Sequence, residues 1–194
     1  MVDAAALTGN WTLDPVHTRL GFSARHAMVT KVRGNFDTFE GTAYTDADNP
    51  GASHVEVTIQ ADSINTNNEA RDQHLRTNDF LDAKTYPTIS FKSTKVEKLD
   101  DEHVRITGDL TIKATTKQVS IDFEFGGVAQ DPFGNTRMGF EGSLSINRQD
   151  YGVAFNAALE TGGVRDRIDR LVDTTIEVGL IQLHGHGASL EGPP

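Results

Sequence analysis

The chain has 194 residues, a formal net charge of −10 and no cysteine. The length suits a single all-β domain, and the acidic balance argues against a nucleic-acid partner or a bare anionic membrane surface. Lack of cysteine excludes disulfides, zinc–thiolate sites, iron–sulfur clusters and a cysteine nucleophile.

No run approaches the roughly 20 apolar residues of a membrane helix, so the chain is not read as an integral membrane protein. The first nine residues have neither the basic nor the apolar part of a signal peptide, which points to the cytoplasm. Residues 1–9 read as an N-terminal extension, 10–184 as one barrel domain and 185–194 as a disordered tail.

Trp11 and Leu13 open a short strand that stops at Asp14-Pro15. Leu20, Phe22, Ala24, His26 and Met28 then share one parity, which marks a strand with one buried face. On that face His26 is either a core histidine satisfied by a carbonyl or a polar anchor for a ligand head group. Phe36 and Phe39 differ in parity, so a bulge or bend is expected at Asp37-Thr38. Residues 46–51 (DADNPG) form a turn, and Val55, Val57, Ile59 and Ala61 face inward beyond it.

Residues 62–93 differ from their flanks. An asparagine start signal and good helix formers over 67–76 predict a short helix. Phe80-Leu81 is an isolated apolar pair, and Tyr86-Pro87 launches the next strand. A connection of this length is far longer than a hairpin needs, so it is read as a lid over one end of a closed sheet. Leu75, Phe80 and Leu81 would turn inward, and Arg71, Asp72 and His74 would pin the cover.

Further inward rows follow: Ile89 and Phe91; Val104, Ile106, Gly108, Leu110 and Ile112; Val119, Ile121, Phe123 and Phe125; Met138, Phe140, Gly142, Leu144 and Ile146; and Val172, Thr174, Ile176, Val178 and Leu180. Turns are expected at 99–103 and 114–117, with a loop at 126–135. Ile181 and Leu183 fall on the outer parity of the last strand, which suggests a homodimer through that region.

Long one-sided strands in series, without strand–helix alternation, predict an all-β fold: an antiparallel up-and-down barrel of about eight strands with a short helical lid. Such a barrel holds either packed side chains or one small ligand, and the alternation of residues leaves both open. Gly108 and Gly142, inward among bulky rows, are read as leaving space. No nucleophile elbow, P-loop, dinucleotide fingerprint or zinc-protease motif is present, and no metal or cofactor is expected. His184-Gly185-His186 reads as a solvated pair.

Several pieces, in order, resemble the YceI-like family of bacterial lipocalin-like, polyisoprenoid-binding proteins. They are Trp11-Thr12-Leu13-Asp14-Pro15-Val16-His17-Thr18, Phe22-Ser23-Ala24-Arg25-His26 and Val32-Arg33-Gly34-Asn35-Phe36, then Ser63-Ile64-Asn65-Thr66 with residues 71–80 and Tyr86-Pro87-Thr88-Ile89-Ser90-Phe91. Gly108-Asp109-Leu110-Thr111-Ile112 and Asn147-Arg148-Gln149-Asp150-Tyr151-Gly152 complete the series. The sequence departs from the pattern at Leu81, where a second Phe is common, at Lys113-Ala114-Thr115, where a glycine turn is common, and in lacking an export signal.

The resemblance implies a lipocalin-like barrel whose elongated apolar cavity holds a polyisoprenoid or isoprenoid quinone-like lipid. The expected function is non-catalytic lipid binding, storage or transport. Expected ligand contacts are Phe22, His26, Phe36, Val57, Ile59, His74, Leu75, Phe80, Leu81, Phe91, Gly108, Leu110, Ile112, Ile121, Phe123, Phe140, Gly142, Leu144, Ile176 and Val178. Two other readings stand beside it: an enzyme on a small lipophilic substrate with His26 or His74 as base, and a structural or stress-related dimer without ligand.

Overall fold

A computed structural model describes residues 7–26, 30–132, 134–153, 155 and 173–185, with the backbone alone given for 25, 26, 30 and 173–185. The described residues form eleven strands, one α-helix and short 3-10 turns. In chain order the strands and the helix are β1 (Gly9–Leu13), β2 (Leu20–His26), β3 (Thr30–Phe36), β4 (Phe39–Thr45), β5 (His54–Gln60), β6 (Ile64–Asn65) and α1 (Glu69–Leu75). Then come β7 (Thr88–Lys98), β8 (His103–Ile112), β9 (Thr115–Gln130), β10 (Thr136–Asn147) and β11 (Asp173–Gly185).

Pairing is antiparallel, and the sheet closes on itself. β1 lies against both β4 and β11, while β2 lies against both β3 and β11. β1 and β2 therefore act as one strand broken at residues 14–19. β3 and β4 act as another, broken at the expected Asp37-Thr38 bend. Counted so, the ring has eight strands in up-and-down order, the barrel read from the period-two rows.

Full closure leaves the barrel without a long exposed edge. Across the long connection of residues 61–87, β5 and β7 still pair directly, Val57 opposite Phe91 and Ile59 opposite Ile89.

Local chemistry corrects three details. The turn between β8 and β9 is only Lys113-Ala114, not 114–117, because Lys113 accepts a left-handed conformation (φ 55°). β9 runs on to Gln130 through Gly126-Gly127, so the 126–135 loop shrinks to its last five residues, where Asp131 Oδ1 accepts from Asn135 N–H at 2.9 Å.

The third correction concerns β11. Its register shifts between Phe140 and Gly142, so Ile181 pairs with Phe140 and Leu183 with Met138 and Leu13. These are register positions of the inward rows, so the alternation that put Ile181 and Leu183 on the outer parity does not run unbroken through β11. The side chains of Ile181, Leu183 and His184 lie outside the described residues, as do Met28, His186, Val172 and the rest of the expected tail.

The strand directions separate two ends. One carries the β4–β5, β7–β8 and β9–β10 turns. The other carries the lid segment, the β8–β9 turn and the start of the chain after β10. A charge cluster centred on the buried Asp14 straps the first end on its outside. Arg137 donates to Asp14 Oδ2 (2.5 Å) and Asp131 Oδ2 (2.9 Å), and His17 Nδ1 meets Asp14 at 2.6 Å. Burial works against the Arg137 charge, but the two carboxylates outweigh it and raise its pKa.

Candidate functional site

The barrel encloses a cavity of about 970 Å³, at the upper end of the range for small-molecule sites. The walls carry apolar side chains from β2, β3, β4, β5, β7, β8, β9 and β10. Phe22, Val57, Ile59, Phe91, Ile106 and Leu144 all line it, and all are only partly buried although they point to the barrel interior. In a barrel filled by its own side chains these positions would be sealed. Packed clusters occupy the ends: Trp11, Leu13, Ala43 and Met138 near the first, and Ala61, Ala83, Ile89, Ile112 and Tyr151 near the lid.

Most of the expected contacts meet at this cavity. Phe36, His74, Leu75, Phe80, Leu81, Leu110, Ile112, Ile121, Phe123 and Phe140 line it, together with Phe22, Val57, Ile59, Phe91 and Leu144. The side chains of His26, Ile176 and Val178 lie outside the described residues. Their backbone pairs with Thr30, with Leu144 and Phe22, and with Gly142 and Leu20 respectively.

Gly108 and Gly142 do not line the cavity, which corrects the reading of them as open space. A Cβ on Gly108 would stand 2.6 Å from the Phe91 ring and 2.5 Å from the Lys92 carbonyl oxygen. One on Gly142 would stand 2.7 Å from the Phe123 ring and 2.9 Å from the Asp122 carbonyl oxygen. Each glycine makes room for a cross-strand phenylalanine, and those rings form the wall.

The lid is built from local signals. Asn68 caps α1, its side chain accepting from Arg71 N–H at 3.0 Å. Asp72 is buried and accepts from Thr66 N–H (3.0 Å) and Thr66 Oγ1–H (2.5 Å). Arg71 donates to the Thr66 carbonyl (2.9 Å) and Oγ1 (2.7 Å). Together they tie the helix to the end of β6. Arg76, which pattern reading missed, reaches further back and donates to the Asp62 (2.6 Å) and Ile64 (3.0 Å) carbonyls.

Above the cavity His74, Phe80 and Phe155 form a three-ring cluster with centroids 5.0–5.1 Å apart. His74 Nε2 also meets Asp79 at 2.8 Å. Arg148 and Tyr151 complete this end. Arg148 donates to the Val153 (2.6 Å) and Phe155 (2.9 Å) carbonyls, and burial lowers its pKa without discharging a guanidinium. Burial, with Asp150 beside it, raises the Tyr151 phenol. Asp150 itself pairs with Lys117 at 3.0 Å rather than with Arg148. Phe155 sits in a stretch without strand parity, so nothing in the sequence pattern marked it.

The other end of the cavity reaches polar turns. Tyr44 and His54 stack there (5.6 Å, 27°), beside Asp46, Lys98, Asp100, Asp101, Glu102 and His103. Asp100 caps the β7–β8 turn, accepting from Glu102 N–H and His103 N–H at 2.8 Å each. The Glu102 N–H first, and then the His103 ring at 2.9 Å, hold its carboxyl below the ordinary range; Asp100 in turn raises His103. Among the described residues no group of His, Cys, Asp and Glu has the arrangement of a metal site.

A barrel of this form has known counterparts. The family model described as "YceI-like domain" matches residues 11–180. A UPF0312 protein of Staphylococcus aureus is 40% identical over 156 residues, 80% of this chain and 88% of that protein. The crystal structure of a Campylobacter jejuni YceI protein superposes with a TM-score of 0.63 at 32% identity, over 82% of this chain and 88% of that one. A polyisoprenoid-binding domain from Saccharophagus degradans has the same fold, with a TM-score of 0.65 at 16% identity over 92% and 98% of the two chains.

Proposed function

We propose that this chain, which belongs to the YceI-like family, is a non-catalytic binding protein that stores or carries a long apolar lipid, of isoprenoid or quinone type, inside its barrel. The carrying observation is the open apolar cavity of about 970 Å³ whose inward side chains remain partly unburied. Filling it with a chain contributes roughly 0.8 kcal/mol per buried CH₂, so few polar contacts are needed. The polyisoprenoid-binding domain from Saccharophagus degradans, alike in fold, supports the same class of ligand.

Native mass spectrometry of protein purified without detergent tests the reading. Bound mass that organic extraction removes, and that fragments as a prenyl lipid, is expected. A protein that is bare as purified and takes up no added prenyl lipid overturns it.

One observation bears on an enzymatic alternative. His74 and Asp79 form a histidine–carboxylate pair, and His74 lines the cavity. Both side chains are nearly half exposed, at 46% and 44%, and the imidazole is braced edge-on by two phenylalanine rings. This arrangement holds a lid. The neighbouring Thr77 hydroxyl donates to the His74 backbone carbonyl and accepts from the Asp79 N–H instead of meeting the imidazole, so the binding reading is preferred.

The lid makes its own prediction. Phe80→Asp removes two of the three ring contacts and puts a charge into the apolar cover. Release of a preloaded fluorescent prenyl analogue, followed by stopped flow, should quicken by about tenfold, the loss of one or two aromatic contacts. Leu75→Asp should act in the same direction, and far-ultraviolet circular dichroism should keep its strand signature in both. Release at the parent's rate from both variants would show that the segment is no lid.

A further inference from the structure

We infer that the cavity selects lipids with an uncharged head group and discriminates against the same chain carrying a phosphate or diphosphate. The inference rests on the proposed lipid-binding reading and adds the head-group class. The cavity is the site; the charges at its ends decide what can stand there.

The argument begins with the orientation of the ligand. At the lid end the cover is apolar: Leu75, Phe80, Leu81 and Phe155 line it. The two guanidinium groups that line this end are held by the chain itself. Arg71 donates to Thr66, and Arg148 to the Val153 and Phe155 carbonyls. An anionic group placed there would share Arg71 with Thr66 and would meet the buried carboxylate of Asp72, which accepts from the same Thr66 hydroxyl. The apolar tail belongs at this end, and the head group belongs in the opposite mouth.

That mouth is acidic. Among the described residues Asp46, Asp100, Asp101 and Glu102 line it against one lysine, Lys98, whose Nζ lies 2.7 Å from Asp101. Two of these carboxylates are set by their own turns. Asp46 Oδ1 accepts from Asp48 N–H (3.1 Å) and Asn49 N–H (2.8 Å), and Asp100 from Glu102 and His103. The His103 ring is engaged with Asp100.

A phosphate in this opening would face several like charges at the rim of a low-dielectric tunnel, which focuses their field. An alcohol or a quinone carbonyl meets no such repulsion, and the side chains of Ser53, Tyr44 and His54 line the same mouth to accept or donate a hydrogen bond. The chain's net charge of −10 adds to the same sign.

The test compares geranylgeraniol with geranylgeranyl diphosphate, both below their aggregation limits, by titration calorimetry at low and at high salt. The alcohol should bind at least about tenfold more tightly at low salt, where the screening length is about 30 Å. The gap should close as salt rises. It should also narrow in the double variant Asp101→Asn, Glu102→Gln, which keeps the side-chain shapes and the Asp100 turn. Diphosphate binding as tightly as the alcohol overturns the head-group inference while leaving the cavity a lipid site. A gap that neither salt nor the double variant changes overturns it too, because discrimination would not come from mouth charge. Binding of neither probe overturns the lipid-binding reading itself.

Discussion

Replacing Gly108 by alanine should lower the unfolding free energy by roughly 2–3 kcal/mol, the upper part of the range for overpacking a close-packed site. One methyl group is the whole change. The new Cβ would fall 2.5 Å from the Lys92 carbonyl oxygen and 2.8 Å from Ser93 Cα, both backbone atoms of the paired strand β7. A flexible side chain could rotate away, but a hydrogen-bonded strand cannot without loosening the ladder on both sides. The Phe91 ring, 2.6 Å from the same point, can yield toward the cavity, so the cost rests on the two backbone contacts. Urea unfolding followed by the fluorescence of Trp11, the chain's one tryptophan, reads the effect as a shift in midpoint. A midpoint equal to the parent's would show that β7 and β8 stand further apart than the structure has them. Phe at Gly108 or Gly142 would therefore break the sheet before it narrowed the lumen.

The same glycines show where reading by parity ends. Alternation says which side of a strand a residue faces, because that depends only on the period of two. It placed Val104, Ile106, Leu110 and Ile112 inward, and those side chains do line the cavity. Whether an inward glycine opens a space or receives a neighbour's ring depends on the partner strand, and strand register is not written in one strand's residues.

β11 shows the same limit in another form. Ile176 and Val178 lie on one parity and Ile181 and Leu183 on the other, yet the shift opposite Phe140 and Gly142 brings both pairs to inward register positions. A bulge in a strand that is apolar on both parities leaves no trace in the alternation.

The lid was legible for a different reason. Its start signal, its isolated Phe80-Leu81 pair and its excess length over any hairpin are local properties, and α1 with its Asn68 cap stands where they indicated. The ties that hold the barrel's other end were not legible. Asp14 and Arg137 meet across 123 residues of chain, and each alone reads as an ordinary surface charge. The acids of the mouth are also unremarkable in sequence: residues 46–51 and 99–103 read as polar turns. Only closure of the sheet puts them around one opening.

Filling the cavity from its wall should have an effect opposite in kind to that of Gly108→Ala. Ile106 lies on β8 two residues before Gly108, between Val96 and Ile121 of the neighbouring strands. Its side chain lines the cavity and is only partly buried, so the space ahead of it is open. Ile106→Trp sends an indole into that space instead of into a neighbouring backbone. The bulk it adds displaces about four CH₂ groups of a bound chain, roughly 3 kcal/mol at about 0.8 kcal/mol each, or on the order of a hundredfold in affinity.

Stability should hold or rise, because the added ring gains apolar contacts where the parent has none. Calorimetric titration with a long prenyl alcohol and a thermal melt of the same sample measure both quantities. Undiminished binding by a folded Ile106→Trp protein would mean that the ligand lies elsewhere. Lost binding with a collapsed melting temperature would mean that the interior beside Ile106 is already filled. The combination of a kept fold and lost affinity requires the barrel to be hollow at mid-depth, which is the physical content of the functional proposal.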